Sequence, residues 1–134
     1  MLPLVLPTLL AFAGSADDGT LGFTQARLRA MNAHDVSAVV DFYESGAESV
    51  GPDGRSSKGP DALRAAWQAR FGVPSKVEVK DVTYVASPNE VFVYGLLETD
   101  PAGGKPVVER FSELRVRLHG RWFVRFESRQ PVAP

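Results

Sequence analysis

The chain has no cysteine. Disulfides, thiolate nucleophiles, zinc–thiolate centres and a lipid anchor on cysteine are therefore excluded. Only two histidines are present, His34 and His119, too few for a histidine-rich metal site. Neither charge predominates. Fifteen Lys and Arg stand against 16 Asp and Glu, for a formal net charge of −1. That balance provides no long-range attraction to nucleic acid or to an anionic membrane. Nor is there an apolar run long enough to span a bilayer, which takes about 20 residues as a helix. What remains is 134 residues, 44% hydrophobic and 23% charged, the composition of one ordinary domain able to bury a core.

The longest apolar stretch is at the start. Residues 1–13 read MLPLVLPTLLAFA, with Pro3 and Pro7 disfavouring a stable helix. Ala11-Phe12-Ala13 fits a small-residue cleavage pattern, and Gly14-Ser15-Ala16 is a second candidate. Residues 1–16 thus read as a signal peptide, although one without a basic n-region, and imply a secreted or periplasmic product. A misassigned start or a tail is the alternative. Residues 17–20 follow as a linker, and residues 21–131 form the domain.

Helical periodicity dominates the first half of that domain. Leu21, Thr24, Leu28 and Met31 recur at helical spacing over about Thr20 to Ala33. Asp35 is placed to cap a second helix, Val36 to Tyr43, with Val36, Val39, Val40 and Tyr43 as its apolar stripe. Ala47 to Val50 reads as a short strand, Pro52-Asp53-Gly54 as a turn, and Ser56 to Gly59 as a returning strand. Pro60 suits the first turn of a third helix carrying Leu63, Trp67, Arg70 and Phe71. The second half is β-patterned. Strands are expected over about Lys76–Ala86, Glu90–Thr99, Val107–Leu118 and Arg121–Gln130, with His119-Gly120 as a two-residue hairpin loop. Val77 and Val79 lie on one face, Val82 and Tyr84 on the other, which calls for a β-bulge near Lys80-Asp81. Helices first and a strand meander second give an α+β fold, a curved antiparallel sheet wrapped around N-terminal helices.

The segment from Met31 to Phe71 resembles the nuclear transport factor 2-like superfamily in its SnoaL-like and ketosteroid-isomerase-like branch. Asn32, Ala33 and Asp35 at the helix junction, the apolar helix ending in Tyr43, the Pro-Asp-Gly turn, and Gly59 leading to Leu63 and Trp67 carry the resemblance. Gly120-Arg121-Trp122 adds to it. The resemblance implies a cone-shaped, cystatin-like α+β barrel, often dimeric through its outer sheet face. Phe92 and Tyr94 share one face of their strand and fit such a patch.

The superfamily spans isomerases, cyclases, dehydratases and binding modules, so the fold leaves the activity open. In ketosteroid isomerase a carboxylate base works with a tyrosine and a protonated aspartic acid as oxyanion donors. The resemblance places the base position at about Gly51, the tyrosine position at Arg27 and the second acid at Ser112. None keeps its chemical type. The positions after Trp122 where many SnoaL-like members carry histidine read Phe126 and Ser128.

The expected function is therefore an exported module that binds a small, largely hydrophobic ligand, with an acidic one compatible, and without an intact isomerase set. If Ser112, Leu114, Val116 and Leu118 face inward, Arg110 does too, and with Arg27 it would hold an anion. The alternative is an ion pair with Glu48, Glu98 or Glu109, or plain exposure. The expected pocket comprises Arg27, Tyr43, Trp67, Phe71, Arg110, Ser112, Trp122 and Phe126. The same aromatics could instead be core. Glu48 and Ser112 are weak catalytic candidates for a second reading, a small-molecule enzyme with relocated groups. A third reading is an assembly domain with a filled cone. No metal or cofactor is expected. The expected partners are a small molecule and a second copy of the chain, with neither nucleic acid nor a stable membrane anchor.

Overall fold

The computed structural model describes residues 18–132, and the signal-peptide reading lies outside them. Three helices, α1 (Leu21–Asn32), α2 (Val36–Val40) and α3 (Pro60–Arg70), pack on one face of a six-stranded sheet. The strands are β1 (Tyr43–Val50), β2 (Ser56–Lys58), β3 (Ser75–Ala86), β4 (Glu90–Pro101), β5 (Val107–Leu118) and β6 (Arg121–Pro131). Their order is β2-β1-β6-β5-β4-β3, a curved sheet left unclosed at β2 and β3. The α+β class is as expected. The antiparallel meander β3 to β6 is present, but β1 joins β6 in parallel, so the sheet is mixed.

Local chemistry accounts for the boundaries. Asp18 begins α1 by accepting from the Thr20 N–H at 2.9 Å. Asp35 caps α2, accepting from the Ala38 N–H at 3.0 Å. Pro60 occupies the first turn of α3. At the β5–β6 hairpin both loop residues have positive φ, 52° at His119 and 77° at Gly120, the left-handed pair that a tight two-residue loop needs.

Two elements differ from the sequence reading. The expected second helix stops at Val40, because the Phe42 carbonyl accepts from the Val124 N–H at 2.8 Å and Tyr43 pairs with Val124. Tyr43 therefore opens β1 instead of closing a helix. In α1 the buried residues are Gly22, Phe23, Thr24, Arg27 and Met31, while Leu21 is 54% exposed. The apolar stripe is rotated so that a guanidinium enters the core.

Two bulges set which side chains face the helices. In β3 the register slips between Lys80 and Thr83, with Asp81 at φ 54°. In β6, Val124 pairs with Arg115 and Phe126 with Leu114, so Arg125 has no opposite number. An extra residue reverses the facing of everything after it.

Candidate functional site

The inner face of β5 carries Glu109, Phe111, Glu113 and Arg115, all buried. Beyond the β6 bulge, Glu127 is buried and Arg129 half-buried. Arg27 from α1, 3% exposed, meets this row. Its Nη1 donates to Glu113 Oε2 at 2.5 Å. Its Nη2 donates to the Tyr43 hydroxyl at 3.0 Å and to Glu127 Oε1 at 3.2 Å. Tyr43 donates to Glu127 Oε2 at 2.5 Å and accepts from the Trp67 indole at 3.1 Å. Ser49 also donates to Glu127 Oε2, at 2.8 Å. Arg115 donates to Glu113 Oε1 at 2.9 Å, to the Gly19 and Thr20 carbonyls at 2.8 and 3.0 Å, and to the Thr24 hydroxyl at 2.8 Å. Two guanidiniums and two carboxylates thus neutralise each other beneath the helices, with hydroxyls filling the remaining lone pairs.

This arrangement fixes protonation states. Burial opposes the charge on Glu127, but Arg27 and the hydrogen bonds from Tyr43 and Ser49 outweigh it and hold the carboxyl below its ordinary value. Burial and the adjacent Glu127 carboxylate push Tyr43 well above the usual phenol range. Burial works against the Arg27 charge as well, yet Glu113, Tyr43 and Glu127 hold the guanidinium protonated. A carboxylate with both oxygens occupied and a depressed pKa is a poor general base near neutrality. The network serves as a rigid polar floor.

Above that floor lies a cavity of about 30 Å³, room for a water or two. Arg27, Glu113 and Glu127 form its base, and Met31, Val79, Leu97 and Phe111 are among its apolar wall. Arg70 from α3 and Arg129 from β6, both half-buried, also line it. Arg129 donates weakly to Glu109, at 3.4 Å. Arg70 lies over the Trp67 ring, 4.7 Å from its centroid. Burial, and then the Arg129 charge, lower the Arg70 guanidinium to about 10. The Nε atoms of Arg27 and Arg129 are buried without a hydrogen-bond partner.

The expected pocket residues divide. Arg27, Tyr43 and Trp67 come together, although Tyr43 lies in the floor and does not line the cavity. Trp122 is buried elsewhere on the same face, so close to Gly19 that a Cβ there would lie 2.7 Å from the indole. Phe71 stacks on His34 at 4.9 Å and borders Trp67 at 5.3 Å.

Four expectations are corrected. Arg110 is exposed and Ser112 points to the outer face, bonded to the Ser128 hydroxyl at 3.0 Å, because β5 turns its charged alternation inward and its apolar one outward. Phe126, 38% exposed, is turned outward by the bulge at Arg125. Glu48 pairs across β1–β2 with Lys58 and accepts from the Ser56 hydroxyl, away from the cavity. A Cβ at Gly51, by contrast, would lie 3.7 Å from Arg129 Nη2.

The residues missed are Arg70, Glu113, Arg115, Glu127 and Arg129. For the four on strands the signal was available in the alternation. Glu109, Glu113 and Arg115 alternate on one strand, and Glu127 and Arg129 alternate on its neighbour, a complementary set that could satisfy itself if buried.

The SnoaL-like domain family model matches residues 24–127. No curated protein matches the chain. Among solved structures, an NTF2-like protein of unknown function from Pseudomonas putida superposes with a TM-score of 0.79 at 19% identity, over 90% of this chain and 88% of that one. An uncharacterised protein with a cystatin-like fold from Caulobacter vibrioides gives 0.77 at 17%, over 90% and 92%. An NTF2-like protein from Cytophaga hutchinsonii gives 0.71 at 16%, over 81% and 92%.

Proposed function

As the chain belongs to the SnoaL-like domain family, we propose that it is an exported, dimeric module that binds a small, largely hydrophobic molecule in its cone. Ketosteroid-isomerase chemistry is absent from this reading. The family fold fits a small-molecule-binding domain. The observation that carries the reading is the cavity itself: apolar walls from α1, β3, β4 and β5 converge on a few polar groups, two of which keep a buried N–H unpaired. The polar floor positions those walls and is not assigned a chemical step. At about 30 Å³ the cavity admits only part of a ligand, and the rest would require Met31 to move aside.

Native mass spectrometry of the purified mature protein tests this reading. A bound small molecule released on denaturation is the expected result; a clean apo mass, with no response to any apolar ligand, would sink it. Export has its own test. The secreted or periplasmic protein should begin near residue 14 or 17, and an intact Met1 in that fraction would contradict cleavage. The assembly reading is favoured by a different observation, the apolar outer face of β3 to β6, and it is compatible with ligand binding.

A further inference from the structure

We infer that the part of the cavity lined by Arg70 and Arg129 is a carboxylate site, with these two as its guanidinium donors and the ligand's apolar part along Met31, Val79, Leu97 and Phe111. This rests on the small-molecule reading above and names the class of molecule.

The charge pattern points to an acid. Arg27 and Arg115 are matched by Glu113 and Glu127 through contacts of 2.5 to 3.2 Å. That leaves Arg70 and Arg129, with Glu109 as the remaining carboxylate, reached by a single contact of 3.4 Å from Arg129. Among the described residues Arg70 makes no hydrogen bond or ion pair; its partner is the Trp67 ring. One positive charge is therefore uncompensated on half-buried side chains. Buried charges are ordinarily paired. A monoanion would restore balance there, whereas a dianion would overfill it.

Donor geometry favours a planar anion. The Arg129 Nε–H is buried and has no acceptor. A guanidinium presents Nε–H and Nη–H in a fork that matches the two oxygens of a carboxylate. The stack on Trp67 orients Arg70, so less side-chain freedom is lost when it meets a ligand. The burial that lowers the Arg70 pKa and the repulsion it feels from Arg129 would both be relieved by an anion between them. The adjoining apolar wall gives the acid's carbon skeleton a surface to cover once Met31 moves aside, since the free volume of about 30 Å³ alone holds a water or two.

Phenylacetate, the isosteric phenylacetamide and inorganic phosphate discriminate the alternatives by calorimetry and thermal shift on the mature protein. The acid should bind at least about tenfold more tightly than the amide, about the difference that one charge-assisted hydrogen bond makes. Arg70→Gln and Arg129→Gln should each reduce acid affinity toward that of the amide. The acid–amide comparison on the unaltered protein needs no variant to fold. Equal binding of acid and amide would overturn the carboxylate assignment and leave small-molecule binding standing. A larger response to phosphate than to phenylacetate would overturn it too. If neither organic probe binds and the purified protein carries no small molecule, both readings fall together.

Discussion

At the scale of single residues, Glu127 and Tyr43 decide how stable the floor is. The Tyr43 hydroxyl makes its full complement of three hydrogen bonds, one donated and two accepted. Tyr43→Phe would leave the Trp67 indole, one Arg27 N–H and one Glu127 lone pair buried without a partner. A loss of about 1–3 kcal/mol in urea unfolding is expected. Glu127→Gln removes a charge from a buried ion-pair set and should cost about 3 kcal/mol or more. Its pH dependence has a definite sign. Against burial, Arg27 and its hydrogen-bond donors lower the folded pKa of Glu127. Its contribution is thus complete above the unfolded value of about 4.3 and is lost as pH falls through the folded one. The stability gap between wild type and Glu127→Gln should be constant near neutrality and narrow only in acid. A gap that stayed constant to pH 2 would show that Glu127 is not held as a charged partner. Tyr43 acts at the other end of the scale. Raised by burial and by Glu127, its contribution is present below about pH 10 and declines above it, and Tyr43→Phe should lack that share of the alkaline loss.

At the scale of elements, the bulges matter most. Gly95 on β4 faces the β3 bulge so closely that a Cβ would lie 3.0 Å from the Lys80 carbonyl oxygen and 3.1 Å from the Asp81 carbonyl oxygen and Val82 Cα. These neighbours are backbone and cannot swing away. Gly95→Ala should therefore lower stability by about 1–3 kcal/mol in thermal or urea melts, and an unchanged midpoint would mean the bulge is looser than its geometry implies. The β3 bulge was legible because its apolar residues switch phase between Val79 and Val82. The β6 bulge was not, because Trp122, Val124 and Phe126 continue an unbroken alternation through Arg125. The same blindness hid the orientation of β5. Leu114, Val116 and Leu118 form the more apolar row, and although Val116 is buried, it is the self-neutralising charged row that faces the helices. The end of α2 was hidden for a related reason. Val36, Val39, Val40 and Tyr43 keep helical spacing across the boundary, and only pairing with Val124 on β6, some eighty positions away, converts Tyr43 to a strand. Caps and turns, by contrast, are local chemistry, so Asp35, Pro60 and His119-Gly120 could be read directly.

At the scale of the whole molecule, the inverted β5 row has a further effect: it leaves apolar side chains on the outside. Val85, Phe92, Leu114 and Phe126 stand in register across β3, β4, β5 and β6. Phe92 and Tyr94 are 44% and 45% exposed, with rings 5.8 Å apart. A continuous apolar row on the outer face of a small domain is a surface that a second copy would cover, and a two-fold axis through the sheet would set the row against itself. A stable contact of this kind buries about 1,200–2,000 Å² in total, so several strands would have to take part. The aromatic pair at its centre should dominate the energy. Phe92→Lys or Tyr94→Lys would place a charge in that centre, costing about 2 kcal/mol or more and weakening association roughly thirtyfold. Light scattering behind size exclusion should show a dimer for the unaltered protein and a monomer for either variant at micromolar concentration. The cavity lies on the opposite face of the sheet, so carboxylate binding should survive in those monomers. If the unaltered protein is monomeric throughout, the outer row is not a self-association face.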